Sequence, residues 1–318
     1  MKWTKPLFLS GFLTLTCHLL SIGQTYNWST VRIGGGGLVT SINAHPLVQN
    51  LRFITTDVGN PYRWNEGAQR WEGLMNGLPA AYWAPVCGNL ALAPGDATGN
   101  ILYATLPKGG VGVASGTVMK SVDRGTTWTD CQLPVWLNPN DNAEKMNGER
   151  LVVDPNNNDV VYVTTRIPVS VNETTTGTYR SVNAGSLWTK IDTLHGRFIV
   201  FDTTGGTISG LTKKIYIGNA NGVYESNDAG STFSLMTGSP VNLRKAVLRG
   251  NGILYATSAA GVYKWDGSNW TTITPPFPGH GSYTGIDVNP HNSSEVIVST
   301  DAFTGTMYRS NNGGAAWT

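Results

Sequence analysis

Ser121-Val122-Asp123-Arg124-Gly125-Thr126-Thr127-Trp128 reads as an S-x-D-x-G-x-x-W element, and it does not stand alone. The pattern returns with drift from Ser181 to Trp188, from Ser226 to Phe233 and from Ser310 to Trp317. Two weaker copies, Arg63 to Trp71 and Lys264 to Trp270, keep the polar turn and the closing tryptophan. Six signatures at intervals of roughly 40 to 60 residues match the length of a four-stranded unit repeated around an axis. The element has a local physical reading. A short carboxylate or amide accepts backbone N–H bonds inside a turn, glycine takes a positive φ, and the aromatic residue packs between neighbouring units.

This is the Asp-box pattern of β-propellers, and it marks a fold rather than a chemistry. Between the boxes a second grammar recurs. Leu90 to Pro94, Leu151 to Pro155 and Gly285 to Pro290 are short strands that end in a proline turn. Each is soon followed by a second strand, Ile101 to Thr105, Val160 to Thr164 and Glu295 to Ser299, then by a glycine-rich loop and Tyr-Arg-Ser or Met-Lys-Ser. No stretch holds a helical period. The expected fold is all-β, a single β-propeller over residues 24–318 with no internal boundary. The final box closes at Thr318 inside a hairpin, so the chain is expected to be part of a longer protein with its ring incomplete.

Composition supports this class and excludes others. Of 318 residues, 22 are Lys or Arg and 20 are Asp or Glu, so a net charge of +2 gives no electrostatic case for nucleic acid or anionic membrane. Charged residues make up only 13%, while 39 Gly and 16 Pro supply many tight turns and argue against long soluble helices. Eleven Trp and 12 Tyr suit the flat faces of sugars, although core packing accounts equally for any one of them.

Lys2 and Lys5 precede an apolar run from Leu7 to Ile22 that ends at Ser21 and Gly23, which reads as a signal peptide over residues 1–23 and hence export. The run is short and interrupted for a membrane anchor. Cys17 leaves with it. Cys87 and Cys131 then remain, either paired in an oxidising compartment or as two buried thiols.

Several features imitate active sites. Gly34 to Gly37 lacks the Gly-Lys-Ser/Thr of a phosphate loop. Asp154, Asn156, Asn158 and Asp159 open like a calcium loop but lack its Gly at position six and Glu at position twelve, so a strand-connecting turn is expected. The five histidines show no metal-ligand spacing, and no metal or cofactor is expected. Arg166-Ile167-Pro168 is similar to a sialidase motif but follows the Ser121 box instead of preceding the first one.

Two longer motifs carry a family resemblance. Val31 to Thr40 with His45-Pro46, then Thr56-Asp57-Val58-Gly59 and Tyr62-Arg63-Trp64-Asn65, resemble the amino-terminal signature of glycoside hydrolase family 74. Asn147-Gly148-Glu149-Arg150-Leu151-Val152-Val153-Asp154-Pro155, followed by Thr165-Arg166, is similar to a second motif of that family. The resemblance runs from about Tyr26 to Thr318 and is strongest before residue 166. It implies a secreted glycosidase that cleaves the β-1,4-glucan backbone of xyloglucan or a related plant polysaccharide with inversion. It also implies two seven-bladed propellers with the substrate between them, of which this chain is the first.

An inverting glycosidase needs two carboxyl groups about 6.5 to 9.5 Å apart, one to protonate the leaving oxygen and one to activate water. The resemblance makes Asp57 the general base and puts the general acid in the second propeller. Read without the resemblance, a lone aspartate in a strand-exit turn is structural. Tyr62 and Trp64 of the signature, and Tyr82, Trp83 and Trp136 in loops between strands, are the candidates for stacking on glucosyl rings. The chain departs from the family at Asn60-Pro61, beside the expected base, and at Asp141 to Met146. The alternatives are a non-catalytic glycan- or protein-binding propeller of the sortilin or photosystem-assembly kind and, less well matched, a sialidase. Endo or exo action, the exact polysaccharide and the oligomeric state are not legible.

Overall fold

The computed structural model describes residues 39–57, 59, 61–79, 82, 87–108, 115–133, 148–165, 176–249, 252–276, 281–301 and 306–318. The expected leader, the Gly34 to Gly37 run, the Arg166-Ile167-Pro168 triplet, Trp83 and Trp136 lie outside these residues.

Six antiparallel sheets follow one another along the chain, and no helix occurs among the described residues. The first holds β1 (Val39–Ala44), β2 (Arg52–Thr56), β3 (Tyr62–Asn65) and β4 (Arg70–Gly73). The second holds β5 (Leu90–Leu92), β6 (Leu102–Lys108), β7 (Ser115–Ser121) and β8 (Thr129–Asp130). In the third are β9 (Leu151–Asp154), β10 (Asn157–Thr164), β11 (Thr178–Ser181) and β12 (Thr189–Asp192). The fourth comprises β13 (Phe198–Ile208), β14 (Leu211–Gly218), β15 (Val223–Ser226) and β16 (Ser234–Leu235). The fifth comprises β17 (Leu243–Arg249), β18 (Ile253–Ser258), β19 (Val262–Trp265) and β20 (Trp270–Thr272). The sixth has β21 (Tyr283–Asn289), β22 (Asn292–Thr300) and β23 (Met307–Ser310), and reciprocal Arg309–Thr318 backbone bonds of 2.9 Å extend its outer edge.

Burial explains the stacking. Five apolar clusters lie between consecutive sheets, such as Tyr103, Val118 and Cys131 of the second against Leu151, Val161 and Trp188 of the third. The second strands of blades two and three are covered on both faces, which is why Leu102 to Leu106 and Val160 to Val163 read as near-continuous apolar runs, whereas β22 alternates and leaves Ile297 exposed. The first strands of successive sheets touch one another and therefore surround the axis. The result is a six-blade propeller arrangement.

The repeated turns share one hydrogen-bond plan. Ser121 Oγ donates to Asp123 Oδ1 at 2.8 Å and accepts from the buried Gly125 N–H at 2.8 Å, and Thr127 N donates to Asp123 Oδ1 at 2.8 Å. Ser181, Ser226 and Ser310 repeat this with Asn183, Asp228 and Asn312. Where the acceptor is Asp, its second oxygen takes a threonine hydroxyl at 2.6 Å, from Thr127 or Thr232. Where it is Asn, that place belongs to Leu187 or Ala316, which need no acceptor. Gly185 has φ +85°, and a Cβ there would sit 2.6 Å from Cys131 Sγ.

Trp128, Trp188 and Trp317 lie between blades, with one variation. Trp188 Nε1 donates to Cys131 O and Trp317 Nε1 to Ile273 O, both on the preceding blade. Trp128 packs against the cluster between blades one and two but donates to Gly125 of its own turn. The basic residue ahead of the box also bridges blades. Arg63 and Arg180 donate to Arg124 O and Ala229 O in the turn of the next blade, and Arg180 lies 6.0 Å over the Tyr162 ring.

Asp154 is buried in a connecting turn, accepting from Asn156 N and, across to blade four, from Thr212 N and its hydroxyl. Cys87 and Cys131 are both buried and unpaired, in different clusters.

Candidate functional site

Antiparallel pairing fixes which loops share a face. The second and fourth strands of a blade run the same way, so the exits of β2, β6, β10, β14, β18 and β22 lie on one face with the long connections to the next blade. The box turns between third and fourth strands lie on the other. Asp57 leaves β2 on the loop face, half-buried and well away from the box-turn face.

The base of that strand exit is built from hydroxyls and one glycine. Thr55 and Thr56 are fully buried, and the Thr55 hydroxyl bonds Thr40 Oγ1 at 2.8 Å and Ser41 Oγ at 2.7 Å on β1. Gly59 has φ +137°, and a Cβ there would lie 2.8 Å from Thr56 Oγ1 and 2.9 Å from the Tyr62 hydroxyl. Only glycine lets the chain turn this tightly beside Asp57. Pro61 is buried and its carbonyl accepts Leu74 N at 3.0 Å, so the departure from the family pattern is packed into the fold at this residue.

The aromatic candidates divide. Tyr62 stands at the loop-face end of β3, against Gly59. Trp64 lies two residues further toward the opposite face. Its indole N–H donates to Glu66 at 2.6 Å, Arg52 covers its ring at 5.5 Å, and Trp71 meets it edge-on at 5.3 Å. Tyr82 is on the loop face of blade two, where its hydroxyl donates to Asp130 Oδ2 at 3.0 Å and Lys108 Nζ lies 5.7 Å from its ring. Asp130 also accepts from Lys108 Nζ at 2.8 Å, Thr117 Oγ1 at 2.5 Å and Gln132 N at 2.7 Å. Burial pushes its carboxyl up, but these bonds outweigh it and hold it below the usual carboxylate range.

Two features of this face escape sequence reasoning. A cleft of about 810 Å³ opens over blades four to six, lined by Arg197, Asn242, Arg244, Tyr263 and Asp301. Asp301 leaves β22 as Asp57 leaves β2, each directly after a buried threonine, and it lies 3.6 Å from Arg244. The second feature is Glu149, which lines a cavity of about 420 Å³ with Thr40 and Ile42 of the first sheet, Lys245 of the fifth and Ile297 and Met307 of the sixth. Thr-Asp at two second-strand exits is a signal the sequence contains, and Glu149 falls inside the second family motif, Asn147 to Pro155, with no role read for it there.

Among the described residues no group of three or more His, Cys, Asp or Glu is arranged to hold a metal. The carboxylates, tyrosines and arginines of the loop face suit recognition of hydroxyl-rich ligands and proton transfer by carboxyl groups.

No family model matches the chain. Known proteins do resemble it. A xyloglucanase of a Paenibacillus species is 29% identical over 93% of this chain and 32% of its own length. The oligoxyloglucan-reducing end-specific xyloglucanase of Emericella nidulans is 29% identical over 93% of this chain and 42% of its own. The crystal structure of the glycoside hydrolase family 74 xyloglucanase from Xanthomonas campestris superposes with a TM-score of 0.77 at 28% identity, covering 92% of this chain and 46% of that one. The family 74 enzyme of Niastella koreensis gives 0.76 at 30%, covering 91% and 46%. YCF48 bound to a D1 peptide, at 15% identity and a TM-score of 0.60, shares the fold alone. The chain thus spans from about a third to just under half of the length of these xyloglucanases and family 74 enzymes, and over nine-tenths of its own length it is similar to enzymes of glycoside hydrolase family 74.

Proposed function

We propose that the protein carrying this chain is an exported, inverting glycoside hydrolase that cleaves the β-1,4-glucan backbone of xyloglucan, with Asp57 as the general base. One observation carries the reading. The aspartate that the family resemblance picks out stands at a strand exit on the loop face, in a chain aligned over nine-tenths of its length with xyloglucanases. Asp57 activates the water, Tyr62 and Tyr82 line the approach of the glucan, and the general acid comes from a second propeller facing this one. Trp83 and Trp136 complete the stacking set of the proposal, and Trp64, covered by Arg52 and Trp71, leaves it. The ring takes a seventh blade between the sixth and the first, a reading supported by the exposed Ile42 of β1 and by Ile297 and Met307 of the sixth sheet.

The test follows xyloglucan hydrolysis by proton NMR in the protein as its gene encodes it. The reading expects the α-anomer of the new reducing end to appear first and to mutarotate afterwards. Early β-anomer, or no hydrolysis of any β-glucan, would refute it. Residues 24–318 alone are expected to be inactive, because one carboxyl group cannot supply both proton transfers.

A further inference from the structure

The cleft over blades four to six holds the Arg244 guanidinium and the Asp301 carboxylate, and the backbone fixes both. Arg244 falls at a break in register between β17 and β18. Leu243 pairs with Ser258 and Lys245 with Thr257, which leaves Arg244 as the extra residue of a bulge. Bulges of this kind re-aim a side chain. Corresponding breaks place Thr40 in β1 and Thr284 in β21, so of these three bulges only the one in blade five carries a charge. Asn242, two residues earlier, takes φ 56°, and its N–H donates to Ala220 O of blade four at 2.8 Å, which ties down the approach to β17.

Asp301 is held from the other side. Ser282 N donates to Asp301 Oδ1 at 2.6 Å, and Asp301 N donates to Ser282 O at 3.0 Å. Its second oxygen, Oδ2, faces Arg244 Nη1 at 3.6 Å, which is longer than a hydrogen bond. The two side chains are 26% and 31% exposed, and so open an ion pair contributes little to stability. What the pair offers is an acceptor and a donor set side by side with hydrogen-bonding capacity to spare. Arg197, the other arginine of the cleft, donates to Leu243 O at 3.1 Å. Pro240, Val241 and Ala260 add an apolar wall.

We propose that Asp301 and Arg244 read two adjacent hydroxyl groups of a neutral sugar unit away from the bond that is cut, an inference that rests on the glycosidase reading above. One hydroxyl donates to Asp301 Oδ2 and the oxygen of its neighbour accepts from Arg244, so a diol closes the gap that the pair leaves open. The C–H face of the ring packs on Pro240 and Val241. The pair is neutral as a unit, and a carboxylate sugar would meet Asp301, which Ser282 N keeps in place. The volume of about 810 Å³ is that of a small-ligand cleft. Among the described residues none of blade one, which carries Asp57, lines it, so the site acts on affinity and on the choice of sugar.

The experiment uses the protein as its gene encodes it and measures Kd for a xyloglucan heptasaccharide and for trigalacturonic acid by calorimetry, with Tm in parallel. Asp301→Asn keeps an oxygen for Ser282 N and turns an amide N–H toward Arg244, so it removes the acceptor while sparing the turn. Asp301→Asn and Arg244→Met are each expected to weaken heptasaccharide binding by about tenfold or more, the cost of a lost hydrogen bond to a charged group. The double variant should bind no worse than the weaker single one, because the two residues act on one diol. On polymeric xyloglucan kcat/KM should fall in step, with the loss carried by KM. Among the described residues the Arg244 guanidinium holds no other bond, so Arg244→Met reports on the site even where Asp301→Asn lowers Tm. Wild-type Kd in both variants, losses that simply add, or tighter binding of trigalacturonic acid than of the heptasaccharide would overturn the proposal. Heptasaccharide binding that depends on the pair without any hydrolysis would remove the glycosidase reading and leave the site standing; hydrolysis with unaltered binding in the variants would do the reverse.

Discussion

Replacing Ser121 with alanine tests the account of the repeated turns. Ser121 is 1% exposed, and its hydroxyl accepts the buried Gly125 N–H at 2.8 Å while also donating to Asp123 Oδ1. Alanine fits the space but strands that N–H, which costs about 1–3 kcal/mol. In a domain of this size about 2 kcal/mol corresponds to a fall in Tm of roughly 4 °C. Asp123→Asn is the informative control. Oδ1 keeps its bonds to Ser121 and Thr127 N, and the Thr127 hydroxyl can turn to accept from the new amide, as Asn183 and Asn312 suggest by holding the same turn. Its cost should stay below about 0.5 kcal/mol. The assay is thermal melting of both variants at pH 7. An Asp123→Asn loss equal to that of Ser121→Ala would show that the carboxylate charge, not acceptor geometry, holds the turn, and would refute the reasoning.

Two further expectations follow from the same geometry. Cys87 and Cys131 are buried free thiols, with burial pushing Cys131 up to about 11, so a thiol reagent at pH 8 should leave both untouched in the folded protein and titrate both in denaturant; protection that persists in denaturant would mean a disulfide. Asp130→Asn should cost about 2 kcal/mol at pH 7, since four donors converge on that carboxylate. Because its folded carboxyl is lowered, the contribution is present above about pH 4 and lost as pH falls through the folded value, so wild type and variant should converge in acid; a pH-independent gap would assign the loss to packing.

The blades were legible because their signal is local. Ser, Asp or Asn, Gly and Trp at fixed offsets specify a turn through bonds spanning four residues, and the turn sets the hairpin. The two weaker copies were legible for the same reason, through Asn65 and Asp266 accepting N–H bonds in their hairpins. Tyr-Arg-Ser was visible as a repeat, but its work was not, because Arg180 acts on a carbonyl 49 residues away. Trp64 shows the limit of reading aromatics as ligand platforms. Arg52 and Trp71 reach it through strand pairing, which composition does not reveal, and Glu66 through the turn two residues on. Glu149 was visible as part of the second family motif, but its hydrogen bond from Asn89, 60 residues away in blade two, was not.

The most direct test of the central claim is azide rescue of Asp57→Asn in the protein as its gene encodes it, assayed on xyloglucan with Tm measured in parallel. Asp57 is half-buried at a strand exit, so the fold should hold, whereas loss of a general base lowers turnover by a factor of about 100 to 10,000. The account predicts an unchanged Tm, collapsed hydrolysis, and restored turnover in azide with a glycosyl azide of inverted configuration. A variant that melts several degrees lower yet keeps near-normal turnover per folded molecule would contradict it, and would return Asp57 to the turn as a structural residue.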